Sequence, residues 1–208
     1  MMLDNIPYFP YILSAFIGIG LAAATGFRVF LPMFAVSLAS YLGWIPMNES
    51  FQWLSGLPTL ITTGIATIVE ILAYYIPYVD HLLDTASVPL ATIAGSVMFA
   101  SQFADIGTFP QWALALIAGG GTAAAISTGF AGTRVASTAT TGGLGNNVIA
   151  STETAGAGIM TVLSIFMPVI AFIFALVLLI FVFIFGRKIW NKITQVSSSD
   201  HHPSTGIN

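Results

Sequence analysis

Charge is what this sequence most lacks. Only 6% of its 208 residues are charged, five Lys/Arg against eight Asp/Glu, where an ordinary soluble domain carries about 25%. So few charges cannot cover the surface of a soluble fold this long, so lipid must be the solvent for most of the exterior. Cysteine is absent, which excludes disulfides and thiolate metal sites and leaves the redox compartment unmarked. The formal net charge of -3 is small and the acids are scattered, so nothing points to nucleic acid or an acidic partner. The segment Met1 to Pro7 lacks the positive region of a signal peptide, and the apolar stretch behind it reads as a retained first span.

What is abundant is apolar. Hydrophobic residues make up 56% of the chain and the mean hydropathy is +0.91. Without water, a backbone can satisfy its hydrogen bonds only in helices or a closed barrel. Barrel strands would alternate with period two, whereas runs such as Val162 to Phe185 are unbroken. The expected fold is therefore all-α, a polytopic transmembrane helix bundle of about six spans with broken or re-entrant segments.

The runs are Tyr8 to Phe27, Val29 to Trp44, Leu57 to Ile76, Val88 to Ala104, Pro110 to Ile126 and Ala155 to Phe185. The second contains Pro32 and would extend roughly 24 Å, short of a hydrocarbon core of about 30 Å, so it is a short span or a re-entrant segment. The last is too long for one straight span, with Gly156, Gly158 and Pro168 as candidate breaks. Tyr78 to Ser87 reads as a loop or helix entrance. Arg187, Lys188, Trp190 and Lys192 form a basic interface anchor that places the C-terminus in the cytoplasm of a bacterial-type inner membrane. Residues 1–196 make one transmembrane domain, and the polar stretch 197–208 reads as a disordered tail. A weak internal repeat relates segments 11–76 and 111–186 through Gly20-Leu-Ala-Ala-Ala and Gly121-Thr-Ala-Ala-Ala, each followed by an arginine, Arg28 and Arg134. If inverted, such halves would resemble a transporter plan.

Those arginines are the candidate centre. At mid-bilayer an arginine costs about 2.5–3.5 kcal/mol on insertion scales, so it should face protein or water. Arg28, between two apolar runs, is either a surface loop residue or part of a broken helix lining a cavity. Pro32 favours the latter. Arg134 sits in a nearly uncharged run, Gly129 to Thr154. There Thr133, Ser137, Thr138, Thr140, Thr141, Gly142, Gly143 and Asn146 can present hydroxyls, amides and open backbone to an anion. This run reads as an irregular, cavity-lining segment or as a flexible loop, and its near lack of charge, with only Arg134 and Glu153, favours the first.

Glu70, inside the third run, is expected to pair with Arg28 or Arg134 or to carry a coupling proton. Glu153 is expected to cap a helix, pair with Arg134, or both. Asp80 and Asp84 share a helical face. With His81 they invite a metal reading, but capping or solvation is the commoner role for such residues and no metal or other cofactor is expected. His81 is the sole histidine outside the tail and no serine motif accompanies it, and Asn146 stands where an intramembrane protease would need an acid, so no enzyme is expected. The remaining alternative is an intramembrane lipid-modifying enzyme that uses Asp80, His81 and Asp84.

The stretches Gly20 to Pro32, Glu70 with Val79 to Asp84, and Gly132 to Asn146 through Glu153 resemble a family of bacterial integral membrane proteins catalogued as domain of unknown function 4126. The resemblance covers roughly residues 10 to 186 and implies the membrane class without an activity. The expectation from the residues is a small transporter or channel for an anion or anionic head group, in contact with the lipid bilayer and as a homo-oligomer. The alternative is a membrane scaffold held by structural ion pairs.

Overall fold

The computed structural model describes residues 8–76, 79–103 and 106–199, without the side chains of His81 and of residues 189–199. Most of these residues are helical, and no strand occurs among them. α1 (Phe9–Phe27) ends at an extended Arg28 and is followed at once by the short α2 (Phe30–Tyr41). A 3-10 helix (Glu49–Ser55) leads into α3 (Leu57–Ala73), and α4 follows (Val79–Ala100). α5 (Thr108–Leu114), a π-helical stretch (Ala115–Gly120) and α6 (Gly121–Thr141) form one rod. α7 (Asn146–Phe166) and α8 (Pro168–Ser199) complete the chain.

Among the described residues, five helical rods are long and apolar enough to cross a membrane, and a sixth arises if the 3-10 helix and α3, bent by 60°, count as one span. The second run is the 12-residue α2. It runs antiparallel to α3: Glu70 lies by Phe30, Gly64 by Phe34, and Leu54 by Ser37. The pair thus leads away from the Arg28 end of the bundle and back to it.

The long run breaks at Pro168, whose missing N–H and ring end α7 at Met167. Gly156 and Gly158 lie inside unbroken helix instead. Tyr78 and Ala104, expected at element edges, lie outside the described residues. Ser197 to Ser199, assigned by sequence to the tail, are the end of α8; residues 200–208 lie outside the described set.

Small residues let the helices approach. A Cβ on Gly26 would sit 2.8 Å from the Ala123 carbonyl oxygen, and one on Gly119 would sit 2.7 Å from the Gly95 carbonyl oxygen. Gly18 lies by Phe99 and Val29 by Ala91, so α1 opposes α4; Gly119 lies by Phe99 and Ser127 by Ser87, so α6 opposes α4 as well. α1 and α6 therefore run the same way. The helices that carry the two arginines thus form a parallel pair. α7 opposes α1, with Ser164 by Gly20 and Gly156 by Phe27. The apolar core near the far end gathers Leu21, Val36, Leu54, Met98 and Phe103. Toward the other end, where α1, α3 and α6 finish and α4 and α7 begin, the interior turns polar.

Candidate functional site

Arg28 is carried inward by the α1–α2 break. Its side chain is 0% exposed, the Nε donates to Thr154 Oγ1 at 3.1 Å and Nη2 to the Ala150 carbonyl at 2.8 Å. Nη2 also lies 3.5 Å from Glu153 Oε2. Arg134 comes from the opposite wall, in the last two turns of α6. Its Nε donates to Glu153 Oε1 at 3.0 Å, its Nη2 binds Oε2, and its Nε is 3.4 Å from Asp84 Oδ1. Two buried guanidinium groups thus meet on one carboxylate. That is a planar fork-to-fork match for Arg134 and a side-on contact for Arg28.

Tyr74 completes the cluster. Its ring centroid lies 3.9 Å from Arg28 Cζ and 4.2 Å from Arg134 Cζ, so one ring face-contacts two cations. Tyr74, Ala150 and Thr154 are absent from the candidates read from sequence. A tyrosine at a span end ordinarily reads as an interface anchor. The signal that would have found it is its spacing of four from Glu70, which puts both on one helical face. Ala150 and Thr154 stand in the same relation on α7.

Glu70 does not form the expected ion pair. Its Oε1 accepts from the Val29 backbone N–H at 2.8 Å and its Oε2 from Phe30 N–H at 3.0 Å. A carboxylate on α3 therefore caps the start of α2, where no side chain of the local sequence does so. The helix break at Arg28 exposes two amides, and lipid offers them no other acceptor.

The run from Gly129 to Thr154 is not irregular. It forms the end of α6, a four-residue turn and the start of α7. The hydroxyls of Thr133, Thr140 and Thr141 return to the carbonyls of Gly129, Ala136 and Ser137 at 3.0, 2.9 and 2.8 Å. Such bonds satisfy serine and threonine without leaving the helix, which is why a polar composition did not produce a loop. These residues face outward, with Ser137 beside Thr141. Gly142 and Gly143 turn the chain at φ +65 and +89, the left-handed region glycine allows.

The structure therefore brings Arg28, Arg134, Glu153 and Asp84 together. Asn146, buried, adjoins them with Nδ2 3.2 Å from Thr138 Oγ1 and 3.4 Å from Asp80 Oδ2. Thr133, Ser137, Thr140, Thr141, Gly142 and Gly143 stay outside the group.

Three polar atoms stand out among the described residues: Arg28 Nη1, Arg134 Nη1 and Asn146 Oδ1 are buried and have no hydrogen-bond partner. Such atoms are rare enough to require an explanation. Two cavities flank the cluster. One, of about 160 Å³, has Val29, Phe30, Val69, Glu70, Tyr74 and Ser87 in its mainly apolar wall. The other, of about 330 Å³, is bounded by Asp84, Val135, Thr138 and Ala139. Among the described residues no group of three His, Asp or Glu is placed to hold a metal. The His81 side chain of the metal reading lies outside them.

Apolar rods around a buried arginine–carboxylate centre define an integral membrane-type helical bundle. The chain matches the family model described as domain of unknown function (DUF4126) over residues 15–188, and it belongs to that family. No curated protein and no solved structure matches it.

Proposed function

We propose that the protein is a small anion transporter of a bacterial-type inner membrane, with the Arg28–Glu153–Arg134 cluster as its selective centre in a closed state. The observation that carries this reading is the convergence of two buried guanidinium groups, each with Nη1 unpartnered. Burying two cations is costly in a lipid-embedded fold, and a merely structural pair would be expected to use its donors fully. One cavity has Tyr74 of the cluster in its wall and the other has Asp84, which supports a polar link between two spaces. The basic run Arg187, Lys188 and Lys192 puts the C-terminus in the cytoplasm. The cluster then lies toward that side, because Gly129 of α6 packs on Val182 of α8.

The test is anion flux into proteoliposomes across a panel of chloride, nitrate, phosphate and acetate. Arg134→Ala is expected to abolish whichever flux the wild type shows. Unchanged flux, with unchanged ligand-induced thermal stabilisation, sinks the reading. A scaffold role is favoured by one observation: both arginines are ion-paired and neither cavity wall contains one. Under that reading no anion in the panel is carried and every cluster variant loses stability alone.

A further inference from the structure

We propose that Glu153 is a built-in competitor, and that the seat its carboxylate occupies between Arg28 and Arg134 is the binding position of a small carboxylate substrate. This rests on the anion-transport reading and names the substrate class of that same centre.

The seat has the form of a carboxylate. Arg134 offers its Nε and Nη2 edge to two coplanar oxygens, and Arg28 Nη2 approaches the second of them. That edge matches a planar two-oxygen anion. Tyr74 walls the seat through both guanidinium groups, and Glu153 is 3% exposed, so the position is shielded from bulk solvent. Outside the edge that Glu153 fills, Nη1 of each arginine keeps an unused donor although both residues are buried.

Charge makes exchange the low-cost route. Removing a carboxylate shared by two buried cations is strongly destabilising. Once Glu153 has turned out and another carboxylate has taken its place, the charge in the seat is the same as before. Arg134 keeps Asp84 at 3.4 Å and Arg28 keeps Thr154 and the Ala150 carbonyl throughout. A free carboxylate that enters as Glu153 leaves therefore meets arginines already held in place, a pre-organised site. Its affinity in the wild type is lowered by the fraction of time Glu153 holds the seat.

The experiment is a formate and acetate titration of thermal stability, on purified wild type, Glu153→Gln and Glu153→Ala, with phosphate and chloride at equal ionic strength. Both variants are expected to melt lower than wild type and to be restored saturably by formate or acetate. The midpoint for Glu153→Gln is expected to be at least about 10-fold lower than for wild type. The double variant Glu153→Gln/Arg134→Ala is expected not to respond.

Absence of carboxylate rescue in both Glu153 variants overturns the proposal. So does a wild-type midpoint equal to that of Glu153→Gln, which would mean that Glu153 does not compete. Equal rescue by phosphate overturns the carboxylate class. Should either variant fail to fold, expression and purification in acetate is expected to recover monodisperse protein, and failure to recover it counts against the seat. Flux is the separate arm: rescue together with unaltered flux in Arg134→Ala keeps the seat and removes the transport reading.

Discussion

Replacing Glu70 with alanine isolates one structural claim, that a carboxylate on α3 holds the start of α2. The Val29 and Phe30 amides reach its oxygens at 2.8 and 3.0 Å, and Glu70 and Val29 are 8% and 6% exposed. Each buried amide left without an acceptor costs about 1–3 kcal/mol. Glu70→Ala should therefore lose about 2–6 kcal/mol. Glu70→Gln keeps one acceptor oxygen and turns an NH2 toward the other amide, so about 1–3 kcal/mol is expected. Glu49, exposed on the 3-10 helix, is the control, and Glu49→Ala should stay within about 0.5 kcal/mol. The assay is unfolding by SDS titration in mixed micelles, followed by far-ultraviolet circular dichroism. If Glu70→Ala unfolds within about 0.5 kcal/mol of wild type, the capping argument is wrong.

Tyr74→Phe should cost under about 1 kcal/mol, because the ring stays over both guanidinium groups, while Tyr74→Leu should cost about 2 kcal/mol or more; the same SDS titration compares them. Gly26→Ala places a methyl 2.8 Å from the Ala123 carbonyl and should destabilise by about 1–3 kcal/mol. Gly132→Ala, with nothing within 4 Å of the added Cβ in mid-helix, should be neutral or stabilise by up to about 1 kcal/mol. Single cysteines at Gly43 and Thr141 should react with impermeant maleimide from opposite faces of sealed vesicles, because α2 leads away from the end of the bundle where α6 finishes. Labelling from one face would make α2 re-entrant.

Much of the architecture was legible because long apolar runs leave little choice in lipid. The helices α1, α3 and α4 and the first half of the rod ending in α6 follow from the apolar runs, and Pro168 marks the α7–α8 break by steric necessity. The helical character of residues 129–154 was not legible, because threonine and serine look loop-forming in water and are self-satisfied in a helix when their hydroxyls bond four residues back. The α2–α3 excursion was ambiguous, since a proline and a short run fit two geometries equally well.

At the site, Arg28, Arg134 and Glu153 stood out because charge is scarce and each had to be explained. Glu70 was noticed for the same reason, yet its partners are backbone amides, which no residue pattern announces. Tyr74 was missed because an aromatic at a span end has a commoner use.

The π-helical stretch at Ala115–Gly120 bears on how this chain tolerates change in length. A wide turn of this kind accommodates one residue more than an α-helix needs. Loss of a single exposed position there, such as Ile117, would let the rod relax to ordinary winding while everything downstream keeps its facing. The same loss a few turns later, between Ile126 and Gly132, has no slack to draw on. It would swing Arg134 by about 100° around the axis, away from its carboxylate. The rod thus holds a spare residue far from the arginine centre and none beside it.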